Sequence, residues 1–81
     1  MSRTIYKREA REIQDSLERT DQIRREAEKA GISQTELAYH AGISLPSLYL
    51  WYRSGLTPER YLRLIDAIGR ARAARAAAGK G

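Results

Sequence analysis

Apolar residues in this chain recur on helical steps, not on the alternating positions of a strand. In the amino-terminal third, Tyr6, Ala10, Ile13, Leu17, Thr20 and Ala27 follow spacings of four and three, and Arg24 stands where the stripe would otherwise continue. The residues between them are mostly Arg, Glu, Ala, Lys and Gln, which lose little freedom in a helix, so one helix is expected from about Thr4 to Ala30. Opposite charges four apart (Arg8 with Glu12, Arg11 with Asp15, Asp15 with Arg19, Asp21 with Arg25) would support its solvated side by about 0.2–0.5 kcal/mol each. Thr20 and Asp21 could instead cap a new helix, which leaves open a break near residue 20 and a total of four or five helices.

The rest of the chain carries its own stop and start signals. Lys29-Ala30-Gly31 ends the first helix, and Ile32 follows as an apolar anchor. Ser33 with Glu36 three residues later forms a capping box for a short helix from Gln34 to about Ala41. Gly42 makes the next turn, Ile43 returns to the core, and Ser44 caps a third helix whose first turn accepts Pro46. That helix closes near Ser54-Gly55. Thr57-Pro58 opens a fourth, with Tyr61, Leu64, Ile65 and Ile68 on its buried face. The expected fold is an all-α, compact bundle with its core at Ile23, Ala27, Ile32, Leu37, Ala38, Ala41, Ile43, Leu48, Trp51, Leu64, Ile65 and Ile68.

One segment holds more apolar surface than a short helix can hide. Ile43, Leu45, Leu48, Tyr49, Leu50 and Trp51 crowd into nine positions. Leu48 and Trp51, three apart, should face inward, which leaves Leu45, Tyr49, and Leu50 or Tyr52 off the buried stripe. These residues either meet a partner or pack against the fourth helix.

Two short helices joined at a glycine make a helix-turn-helix. The stretch "QTELAYHAGISLPSLYLWYR", Gln34 to Arg53, resembles that of the phage-repressor and Cro-like (Xre) family of DNA-binding regulators. Gln34 opens the first helix, Leu37 and Ala38 face inward, Gly42 turns, Ile43 follows, and Leu48 and Trp51 pin the second helix. The likeness extends through "REAEKAGIS" and "GLTPERYLRLIDAI", covering about residues 20–69. It implies three parts: a helical extension at 1–19, a DNA-binding domain at 20–69 and a basic Ala-rich tail at 70–81. It also implies double-stranded DNA as partner, read through the major groove by a homodimer on an inverted repeat.

Under that resemblance Leu45, Pro46, Ser47, Tyr49 and Leu50 are the candidate base contacts, with leucines against thymine methyls and the Tyr49 hydroxyl toward a base edge or phosphate. Ser33, Gln34, Thr35, Tyr39, His40, Ser44 and Arg53 are the candidate phosphate contacts. Simple capping is the plain alternative for Ser33 and Gln34, and the two roles can coexist. The stripe Tyr6, Ala10, Ile13 and Leu17 is the leading candidate dimer interface, against the alternative that it folds back on its own domain; the fourth helix and its Ala-rich continuation, Ile68 to Ala77, is the other candidate. Family members usually offer Gln, Arg, Ser or Asn at the start of the second helix, whereas this chain offers Leu45, Pro46 and Ser47. More of the discrimination therefore falls on Ser47, Arg53 and DNA shape.

Charge and composition narrow the alternatives. The net charge is +5, and residues 54–81 hold six basic residues against two acidic ones, a surplus of four that suits a polyanion. Cysteine is absent and there is a single His, so thiol chemistry is excluded and neither a cofactor, a metal nor a catalytic role is expected. No apolar run approaches the roughly 18 residues needed to cross a bilayer, which suggests a cytoplasmic, nucleoid-associated protein. Little chain remains to recruit polymerase, so repression is expected before activation, with a protein antagonist or co-regulator as a further partner. Two other readings compete: an excisionase-like or MerR-like factor that bends DNA, and an antiactivator that binds protein through the same helical surface.

Overall fold

The computed structural model describes the backbone of residues 2–80 and the side chains of residues 10–79. Four helices make up the fold: α1 (Ser2–Lys29), α2 (Gln34–Ala41), α3 (Leu45–Ser54) and α4 (Pro58–Lys80). It is an all-α bundle. The helix count is four because α1 passes Thr20 and Asp21 without a break. Thr20 is buried, and its hydroxyl donates to the Ser16 carbonyl at 3.0 Å, so it acts inside the helix and caps nothing. No helix among the described residues is long and apolar enough to cross a membrane.

Capping builds the centre of the fold. The Ser33 hydroxyl accepts from the Glu36 amide at 3.1 Å, and the Ser44 hydroxyl accepts from the Ser47 amide at 3.2 Å. Between them Gly42 turns the chain at φ 73° and ψ 30°, a left-handed conformation that a side chain would resist. The Ile43 amide then bonds back to the Ala38 carbonyl at 3.1 Å, and Arg63 Nε donates to the Ala41 carbonyl at 3.0 Å. The end of α2 is thus closed partly by its own turn and partly by α4.

The connection from α3 to α4 is fixed by α1. Gly55 lies at φ 86° and ψ 147°, and a Cβ placed there would meet Ser16 Oγ at 2.7 Å and Ser16 Cβ at 2.9 Å. Leu56 uses both backbone groups on the same helix: its amide donates to the Ser16 carbonyl at 3.2 Å, and its carbonyl accepts from Arg19 Nη1 at 2.8 Å. Its side chain is fully buried. Arg19 also reaches Glu12 at 3.7 Å. The four-apart pairs Arg11–Asp15, Asp15–Arg19 and Asp21–Arg25 are not formed among the described residues; in the second of them Arg19 turns instead to the loop and to Glu12.

The core contains Ile23, Ala27, Ile32, Leu37, Ala38, Ala41, Leu48, Leu64 and Ile68 as expected, together with Tyr52, Leu56, Ala67 and Ala71. Ile43, Ile65 and Trp51 are only partly buried against it. Trp51 lies at the rim, covered by the guanidinium of Arg60 at 4.9 Å and that of Arg63 at 5.9 Å from the ring centre. The aromatic anchor of α3 is therefore Tyr52, 6% exposed, and not Trp51. Residues 70–80 also differ from a separate tail: α4 continues to Lys80, Ala71 is fully buried, and Arg75 forks onto Glu36.

Candidate nucleic-acid interface

α3 has a rooted face and a free face. Leu48 and Tyr52 hold it to the core, while Pro46, Tyr49, Leu50 and Arg53 are exposed. Leu45 and Ser47 are half-buried between these faces; Leu45 packs on the core, and the Ser47 hydroxyl accepts from Ser44 Oγ at 2.8 Å. Of the five expected base contacts, Pro46, Tyr49 and Leu50 thus stand clear of the protein. Leu45 and Ser47 do so only in part.

The expected phosphate contacts divide in the same way. Thr35, Tyr39 and Arg53 are exposed, and Tyr39 meets the half-buried His40 edge to face with ring centres 5.1 Å apart. Ser33 and Ser44 are exposed and act as helix caps. Gln34 is half-buried, and its Oε1 accepts a 2.6 Å hydrogen bond from the Tyr52 hydroxyl. Its amide nitrogen remains as a donor at the amino end of α2, where unpaired backbone amides already favour an anion.

The buried phenol needs this partner. Burial pushes the Tyr52 pKa up to about 12, against the pull of the Arg24 guanidinium, so the hydroxyl keeps its proton and donates. Arg24 lies over the Tyr52 ring, 4.7 Å from its centre. It borders two neighbouring grooves, one shared with Leu17, Thr20, Asp21, Tyr49 and Arg53, the other with Glu28, Ile32, Ser33, Gln34 and Tyr49. In the sequence Arg24 reads only as an interruption of the α1 stripe. The available signal is a basic residue in an apolar register position, between the buried Ile23 and Ala27.

At the other end of α2, Tyr39, His40, Arg63, Asp66 and Arg70 line a polar cleft, with Arg70 Nε paired to Asp66 at 2.9 Å. α4 therefore sets a row of arginines (63, 70 and 75) beside α2. The Arg75 fork holds the Glu36 carboxyl below its ordinary range, chiefly through the hydrogen bond between them.

The candidate dimer stripe is only partly described: Tyr6 lies outside the described side chains. Ala10 is exposed, Ile13 is 60% and Leu17 50% exposed, so the described part of the stripe is not covered by its own domain. Leu17 borders the same groove as Tyr49 and Arg53, which places the stripe next to the free face of α3. Among the described residues no three of His, Asp and Glu converge closely enough to hold a metal ion. Comparisons with protein-family models, with curated proteins and with solved structures return no match to the chain.

Proposed function

We propose that this protein is a sequence-specific regulator of transcription that binds double-stranded DNA in the manner of the phage-repressor and Cro-like family, with α3 in the major groove. The observation that carries the reading is the two-sidedness of α3: Leu48 and Tyr52 fix it, while Pro46, Tyr49, Leu50 and Arg53 are left free beside the amino end of α2. Arg24 and Arg53 flank that face, and the arginines of α4 add attraction that does not depend on sequence. Leu50 against a thymine methyl and Tyr49 toward a base edge supply direct readout, and DNA shape supplies the remainder.

A module of this size reads few base pairs, so it acts as a homodimer on an inverted repeat, with half-site centres about 34 Å or a multiple apart. Ala10, Ile13 and Leu17 form the contact. Repression by occupying the site is the regulatory output.

Selection of bound fragments from the source genome, followed by gel shift of the recovered site at two salt concentrations, tests the reading. Affinity should fall by about 0.9 log unit per log unit of salt for each phosphate neutralised. The apolar character of Leu17, Tyr49 and Leu50 favours a second reading, an antiactivator that binds protein. Failure to recover any duplex, with salt-insensitive binding to a protein, would establish that reading instead.

A further inference from the structure

Between Ile32 and Pro58, the stretch that contains α2 and α3, the chain has a single acidic residue, Glu36. It stands in the first turn of α2. An unpaired carboxylate there would repel the phosphates that this end of the helix is otherwise suited to receive. Arg75, nearly forty residues away and five turns into α4, meets it with two hydrogen bonds, Nε to Oε2 at 3.0 Å and Nη2 to Oε1 at 2.7 Å. Its other terminal nitrogen is packed so closely on the α1–α2 corner that a Cβ on Gly31 would lie 3.2 Å from Nη1. The guanidinium is thus placed by the corner as well as by the carboxylate, and two parallel hydrogen bonds fix the carboxylate in turn.

An exposed ion pair is ordinarily worth little to stability. Its position gives this one another role. We propose that Arg75 is a positioning residue for DNA binding: by forking onto Glu36 it neutralises and holds back the one carboxylate of the α2–α3 unit, which makes the last turns of α4 part of the binding apparatus. This inference rests on the proposed function, and it assigns to the Ala-rich end of the chain more than diffuse attraction. The depressed Glu36 pKa agrees with it, because its largest cause is the hydrogen bond from Arg75.

The test is a double-mutant cycle read by fluorescence anisotropy on a labelled duplex carrying the recovered site, at low salt, with circular dichroism to confirm helicity. Arg75→Gln should weaken binding about five- to tenfold, because the freed carboxylate then faces phosphate in addition to the loss of one cation. In the Glu36→Gln background the same change should cost no more than about twofold, the share of the cation alone. Arg75→Lys, which keeps the charge but loses the fork, should give an intermediate penalty that Glu36→Gln removes. Equal penalties in both backgrounds, or none in either, would overturn the proposal while leaving DNA binding intact. A wild-type protein that binds no duplex would overturn the functional reading, and this inference with it.

Discussion

The Tyr52 phenol donates to Gln34 Oε1 across 2.6 Å, joining the buried face of α3 to the first residue of α2. α3 is thereby held by packing at Leu48 and by a polar link at Tyr52, two attachments one turn apart that fix its rotation about its own axis. Tyr52→Phe keeps the ring beneath Arg24 and removes only the link, so urea unfolding should show a loss of about 1 kcal/mol. Tyr52→Ala also empties a core position and should cost about 3–5 kcal/mol.

The same phenol makes the fold sensitive to alkali. Its pKa rises from 10.0 to about 12 on folding, so the neutral form is favoured by the native state. The contribution is complete below pH 10.0 and is lost as pH climbs toward about 12. Ultraviolet titration should show Tyr52 ionising late, with loss of helicity over that interval. In Tyr52→Phe the late step should vanish.

Gly55 is the position least open to substitution. Its φ of 86° with ψ of 147° belongs almost wholly to glycine, and an added Cβ would press on Ser16. Gly55→Ala should lower stability by about 2 kcal/mol or more in thermal or chemical unfolding. Ser16→Ala should not restore it, because Ser16 Cβ is itself only 2.9 Å from the new atom.

Substitutions at Arg53 and Tyr49 separate the two components of the proposed DNA binding. Arg53→Gln should weaken binding to all duplexes alike and lower the salt slope by about one. Tyr49→Phe should leave the slope unchanged and weaken only the selected site. Competition by nonspecific duplex in the same gel-shift titrations distinguishes the two.

Ile13→Asp tests the proposed dimer contact, since it puts a charge on the exposed stripe without touching the core. Sedimentation should show a monomer that binds a half-site only weakly. A variant that stays dimeric would move the interface elsewhere.

Much of the fold is legible because its signals are local. Ser33 and Ser44 cap the helices that follow them, and Gly42 turns between them, through bonds no more than a few residues long. What escaped the sequence depends on approach between distant segments. Adjacent aromatics at 51 and 52 both fit a helical period, and the choice fell to Tyr52 because Gln34 accepts its proton while arginines from α4 cover Trp51 at the rim. Leu56 is fully buried only because Ser16 and Arg19 receive its backbone. The candidate site was readable as a helix with too many apolar residues. Its division into rooted Leu48 and free Tyr49 and Leu50 followed from periodicity, whereas Arg24 and Arg75 gained their places from packing that no spacing rule contains.

The unbroken passage of α1 through Thr20 has a mechanical consequence. Twenty-eight residues of helix make a rod of about 42 Å, gripped at Ile23 and Ala27 and bare at Ile13 and Leu17. With no hinge between the clamped and bare portions, whatever grasps the outer portion sets the attitude of the whole bundle, and α3 turns with it as a blade turns with its handle.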